Sequence, residues 1–78
     1  MTTHAPVLDY RLLQIRAERR AGLIDADVGR AAEAIISRAI RFCDEGRIPG
    51  TKALDISGRA MSMAHDFPVE MEDRHEPR

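Results

Sequence analysis

Apolar residues recur along this chain at helical spacing in three separate stretches, and none shows the strict alternation a half-buried strand requires. Over residues 7–21, Leu8, Leu12 and Ile15 share one stripe at spacings of four and three. Tyr10, Leu13, Ala17 and Ala21 share a second stripe on nearly the opposite side. Asp9, Arg16 and Arg20 separate the stripes along one edge, and Arg11, Gln14 and Glu18 along the other. A helix on the rim of a bundle needs only one apolar stripe. This one has two.

Residues 26–45 give the clearest helix. Val28, Ala31, Ala32, Ile35, Ile36, Ala39, Ile40, Phe42 and Cys43 occupy half its circumference, with Arg30, Glu33, Ser37, Arg38, Arg41, Asp44 and Glu45 on the other half. A single packed neighbour needs an apolar arc of about 100°, so an arc this wide predicts contact with two neighbours and a central position. The third stretch, 52–67, places Ala53, Ile56, Ala60, Met63, Ala64 and Phe67 on one face, with Leu54 and Met61 at its edge. Ser57, Gly58 and Ser62 weaken its helical propensity. It is expected to be one helix, with a break at Ser57 as the alternative.

The punctuation agrees with three helices. Pro6 suits a first turn, and Gly22 suits the left-handed position after a helix, preceded by Arg19 and Arg20 in the last turn. Asp25 is the expected N-cap of the second helix, with Asp27 in its first turn. So short a link predicts antiparallel neighbours. Gly46 is a natural stop, Ile48-Pro49-Gly50 reads as a turn, and Thr51 is the expected cap of the third helix. Pro68 blocks continuation. Residues 1–5 are expected to be a flexible N-terminus and residues 68–78 a flexible charged tail.

At 78 residues the chain holds one domain, near the lower limit of what a single core supports. Folds of this size usually need a staple. Cys43 is the only cysteine, so no intrachain disulfide forms, and His4, His65 and His75 have no zinc-like spacing. Association is the remaining option. A single cysteine and the lack of a signal-like stretch suggest a reducing, cytoplasmic setting. Apolar runs of no more than three residues exclude a transmembrane helix and give no sign of a membrane partner.

The net charge of −1 argues against a nucleic-acid coat and against a DNA mimic, but its distribution is uneven. Residues 1–65 carry ten basic and eight acidic side chains, whereas residues 66–78 carry five acidic and two basic. A mildly basic body therefore precedes an acidic tail. Eleven of the twelve basic residues are arginine, which suits bidentate contact with carboxylate or phosphate, although a GC-rich coding sequence produces the same bias.

No constellation points to catalysis. Cys43 lies on the apolar half of its helix and reads as a buried hydrophobe. His65 and Asp66 are about 100° apart on a helix and form no orienting pair. No serine, histidine and carboxylate fall into a triad-like arrangement, and Asp25 and Asp27 lack the ligand density of a calcium loop. The chain is not expected to be an enzyme or to carry a cofactor or metal.

The expectation is thus an all-α, three-helix domain over residues 6–67, with a central second helix and completion as a symmetric homodimer. Its second apolar stripe, with an aromatic anchor, aliphatic packing and an arginine rim, has the composition of an interface. The interaction residues are Tyr10, Leu13, Arg16, Ala17 and Arg20. The competing reading has the third helix or residues 68–71 folding over that stripe. In function the chain reads as a small non-enzymatic protein–protein interaction module that regulates or inhibits a larger protein, of the kind found among phage and accessory regulators. The alternative is a helix-turn-helix-like nucleic-acid binder using arginines of the first two helices. The two arginine clusters, 16/19/20 and 38/41/47, then lie at opposite ends of an antiparallel pair, where one continuous basic face is the usual footprint.

Overall fold

Two glycines set the topology. In the computed structural model, which describes residues 5–67, α1 runs Pro6–Arg20, α2 Ala26–Asp44 and α3 Gly50–His65. Gly22 and Gly46 adopt φ of 76° and 75° just beyond the ends of α1 and α2. At each, two amides turn back on the helix: Gly22 N–H and Leu23 N–H bond the carbonyls of Arg19 and Glu18, and Gly46 N–H and Arg47 N–H those of Cys43 and Phe42. These are paired Schellman closures, which satisfy otherwise orphaned carbonyls and reverse the chain. The described residues contain helices and no strand.

Asp25 caps α2 as expected, its carboxylate accepting from the amides of Asp27 and Val28 at 2.9 and 3.0 Å. The third helix starts differently. It begins at Gly50, with Pro49 as its extended N-cap and no side-chain cap, so Thr51 lies inside the first turn. The expected Ile48-Pro49-Gly50 turn is absent, and Gly50 has no positive φ. Gly46 has already reversed the chain, so the following residues need only enter a helix, and the ring-fixed φ of Pro49 suits that entry. The Pro49 carbonyl accepts the amides of Lys52 and Ala53. α3 is continuous through Ser57 and Gly58.

α2 packs against both other helices and is central, while α1 and α3 touch each other more sparingly. The core has two layers. Leu8 meets Ala39, Cys43 and Ala53 at one end; Ile15 meets Ile24, Ala32, Ile36, Ala60 and Ala64 at the other. α3 contributes mainly small side chains (Ala53, Ser57, Ala60 and Ala64), all buried at spacings of four, three and four. Such a stripe lets neighbouring helices approach closely, so Leu8, Ile15 and Ile36, each fully buried, supply the bulk of the packing.

Burial covers less of α2 than its apolar arc. Gly29, Ala32, Ile36, Ala39 and Cys43 are buried, but Ala31 is exposed, Ile35 is 40% exposed and Phe42 only half-buried. Phe67, expected on the inner face of the third helix, lies beyond its end and is 52% exposed. Its carbonyl accepts the Asp25 amide at 2.9 Å, which ties the end of α3 to the link between α1 and α2. No helix among the described residues is long and apolar enough to cross a membrane. The expected flexible segments, apart from Ala5, lie outside the described residues.

Candidate functional site

The two stripes of α1 meet opposite fates. Leu8 and Ile15 are fully buried and Leu12 packs beside them, whereas Tyr10 is 64% and Leu13 62% exposed, with Ala17 and Ala21 exposed in the same row. α3 does not cover the outer stripe; it packs on the inner side. Residues 68–71, the other candidate cover, lie outside the described residues. Val7, one turn before Tyr10, is also exposed and lengthens the stripe. Its place was legible in the helical spacing but was hidden by its position at the helix start.

The rim is less free than the sequence suggests. Arg16 Nε donates to Glu33 Oε1 at 3.2 Å, and Arg19 Nε to Glu33 Oε2. One carboxylate on α2 therefore clamps two arginines of α1. Arg19 reaches it across Gly29, where a Cβ would come within 3.0 Å of the Arg19 stem. The Arg19 hydrogen bond, aided by Arg16, holds the Glu33 carboxyl below its usual range despite the opposing effect of partial burial. Glu33 in turn raises Arg19 above its ordinary value. Arg16 thus frames the stripe as a structural residue already engaged within the chain. Arg20 is exposed, and no described residue pairs with it.

On the opposite edge, Arg11 reaches α3. Its Nη1 donates to Ser57 Oγ at 2.6 Å and to the Leu54 carbonyl at 2.8 Å, while Ser57 Oγ donates to the same carbonyl at 3.0 Å. Ser57 is the one buried polar residue among those described, and this network satisfies it. Two turns further along, Glu18 accepts from Gln14 and lies 2.7 Å from His65 Nε2. Sequence spacing missed both ties, since their partners are more than forty residues apart. The outer stripe therefore lies between two edges of side chains tied to α2 and α3.

The arginine clusters do lie at opposite ends of the α1–α2 pair, but Arg11, Arg16 and Arg19 are spent on internal contacts. Cys43 is buried among apolar neighbours. No group of acidic, histidine or cysteine side chains among the described residues could hold a metal ion. A second apolar feature lies on the far side of the molecule: a groove of about 160 Å³ lined by Ile35, Arg38, Ala39, Phe42 and Ile56.

No protein-family profile, curated protein or solved structure matches this chain.

Proposed function

We propose that this protein is a non-enzymatic interaction module that docks through the outer face of α1, first with a second copy of itself and, so assembled, with a larger protein that it regulates. The observation that carries the reading is the exposure of Tyr10 and Leu13, side by side on a rigid helix whose opposite face is fully buried. Both side chains are large and apolar, and α1 does not need them to hold α2 and α3. A tyrosine beside an aliphatic residue, with polar groups at its edges, is the composition of an interface centre. In a two-fold pairing the same stripe serves both partners. The arginines engaged by Glu33 favour a protein partner over nucleic acid, because one carboxylate already occupies both guanidinium groups and offsets part of their charge.

The test is the double variant Tyr10→Ala with Leu13→Asp, followed by sedimentation and circular dichroism. The expected result is loss of self-association with helix content retained. A wild-type chain that stays monomeric at high concentration would overturn the homodimer. A monomeric chain that unfolds on these substitutions would show the stripe to be core.

A further inference from the structure

The outer stripe of α1 is graded along its length. Its N-terminal half carries large side chains, Val7, Tyr10 and Leu13, all exposed. Its C-terminal half carries only Ala17 and Ala21, exposed in the same row. One edge of the stripe is graded in charge as well. Asp9 stands in the first turn of α1 and Arg20 in the last, both exposed. A surface that runs from large and acidic to small and basic matches a copy of itself only when the copy is reversed.

Two α1 helices paired in parallel would set Tyr10 on Tyr10 and Ala17 on Ala17, holding the helices apart at one end and leaving a gap at the other. That pairing also turns the edge of Asp9 and Arg20 toward the partner's opposite edge. There Arg11 and Glu18 are already engaged with Ser57 and His65 of their own chain. An antiparallel pairing about a two-fold axis brings each edge against itself, N-terminal half on C-terminal half. With the axis at the level of Gln14, Tyr10 falls between the partner's Ala17 and Ala21, and Val7 lies level with the partner's Ala21. Asp9 falls within one residue of the level of the partner's Arg20. The alanines let the backbones approach closely and leave room for the tyrosine ring. The two helix dipoles are then opposed, which also favours this direction.

We propose that two copies pair through antiparallel α1 helices about a two-fold axis near Gln14, with Tyr10 seated between the partner's Ala17 and Ala21 and Asp9 against the partner's Arg20. This register rests on the self-association through α1 proposed above. It makes the contact closed, so that assembly stops at two copies.

Thiol cross-linking of the full chain tests it, with a short bis-maleimide linker and the wild type, whose Cys43 is buried, as the blank. Val7→Cys and Ala21→Cys chains are expected to link to each other when mixed, and neither to link to itself. In the antiparallel register two thiols at position 7 stand about 21 Å apart along the axis, at 1.5 Å per residue, and so do two at position 21. Sedimentation supplies a second readout. Arg20→Glu is expected to weaken the dimer about tenfold, because two exposed ion pairs become two like-charge contacts, and Asp9→Lys added to it is expected to restore the affinity. Linking of position 7 to 7 and of 21 to 21, or a charge reversal that Asp9→Lys does not restore, would overturn the antiparallel register and leave self-association through α1 standing. A wild type that sediments as a monomer, or a dimer that neither position links and Tyr10→Ala with Leu13→Asp does not weaken, would overturn both.

Discussion

The inner and outer stripes of α1 are built from the same kinds of residue and differ in what surrounds them. Leu8 and Ile15 are sealed by α2 and α3; Tyr10 and Leu13, on the same fifteen-residue helix, face solvent. Backbone, cap and helix dipole are common to both, so whatever distinguishes their energetics comes from neighbours alone. An apolar side chain contributes to folding only in proportion to the area that folding removes from water. By that measure the inner stripe holds the domain together and the outer stripe contributes little to the single chain.

Substitution should separate the two faces sharply. Ile15→Ala removes packing from the layer formed with Ile24, Ala32, Ile36, Ala60 and Ala64. It should cost about 2–5 kcal/mol in urea unfolding, much of the stability of a domain this small. Arg11→Ala tests the edge between the stripes. It strips the charged donor from Ser57 and the Leu54 carbonyl and should cost about 1–2 kcal/mol, read as a lowered Tm. Gly22→Ala forces a side chain into positive φ where α1 ends, and a loss of about 1 kcal/mol is expected from the same measurement.

The Glu33 clamp gives a smaller effect with a defined sign. Its carboxyl is depressed in the folded state, so the contribution is complete above the unfolded glutamate value of about 4.3 and is lost as pH falls through the folded value. Glu33→Gln should therefore lower stability modestly above about pH 4.3, flatten the acid limb of the profile, and converge with the parent at low pH. The partial exposure of Arg16 and Arg19 keeps the change modest. The smallest effect belongs to the outer stripe: Leu13→Ala should change the unfolding free energy of the monomer by under about 0.5 kcal/mol. A loss comparable to that of Ile15→Ala, in a chain shown to be monomeric, would erase the distinction between the faces.

Much of the architecture was legible because it rests on local rules. Gly22 and Gly46 stand where a helix must end, Asp25 where one must be capped, and the half-apolar circumference of α2 marks it as central. The local pattern points to Thr51 as the cap of α3, whereas the helix begins at Gly50, because a proline that merely enters a helix has the same local signature as one that makes a turn. By propensity alone Ser57 is a weak point of α3. Its hydroxyl is instead satisfied by Arg11 from α1, a partner that no periodicity within α3 could reveal. Arg16 looked like a free rim residue for the same reason: the carboxylate that engages it lies on another helix.

The sequence by itself determined the three helices, where they reverse, and that α1 carries two apolar stripes, since each follows from side-chain spacing and backbone preference within a few residues. Only the tertiary structure decided which stripe is core, which arginines are spent internally, and that α2 keeps part of its apolar arc open beside α3. Those outcomes depend on which helix faces which across the bundle. Burial and charge neutralisation are properties of pairs of surfaces, and a single helical period carries only one of the two.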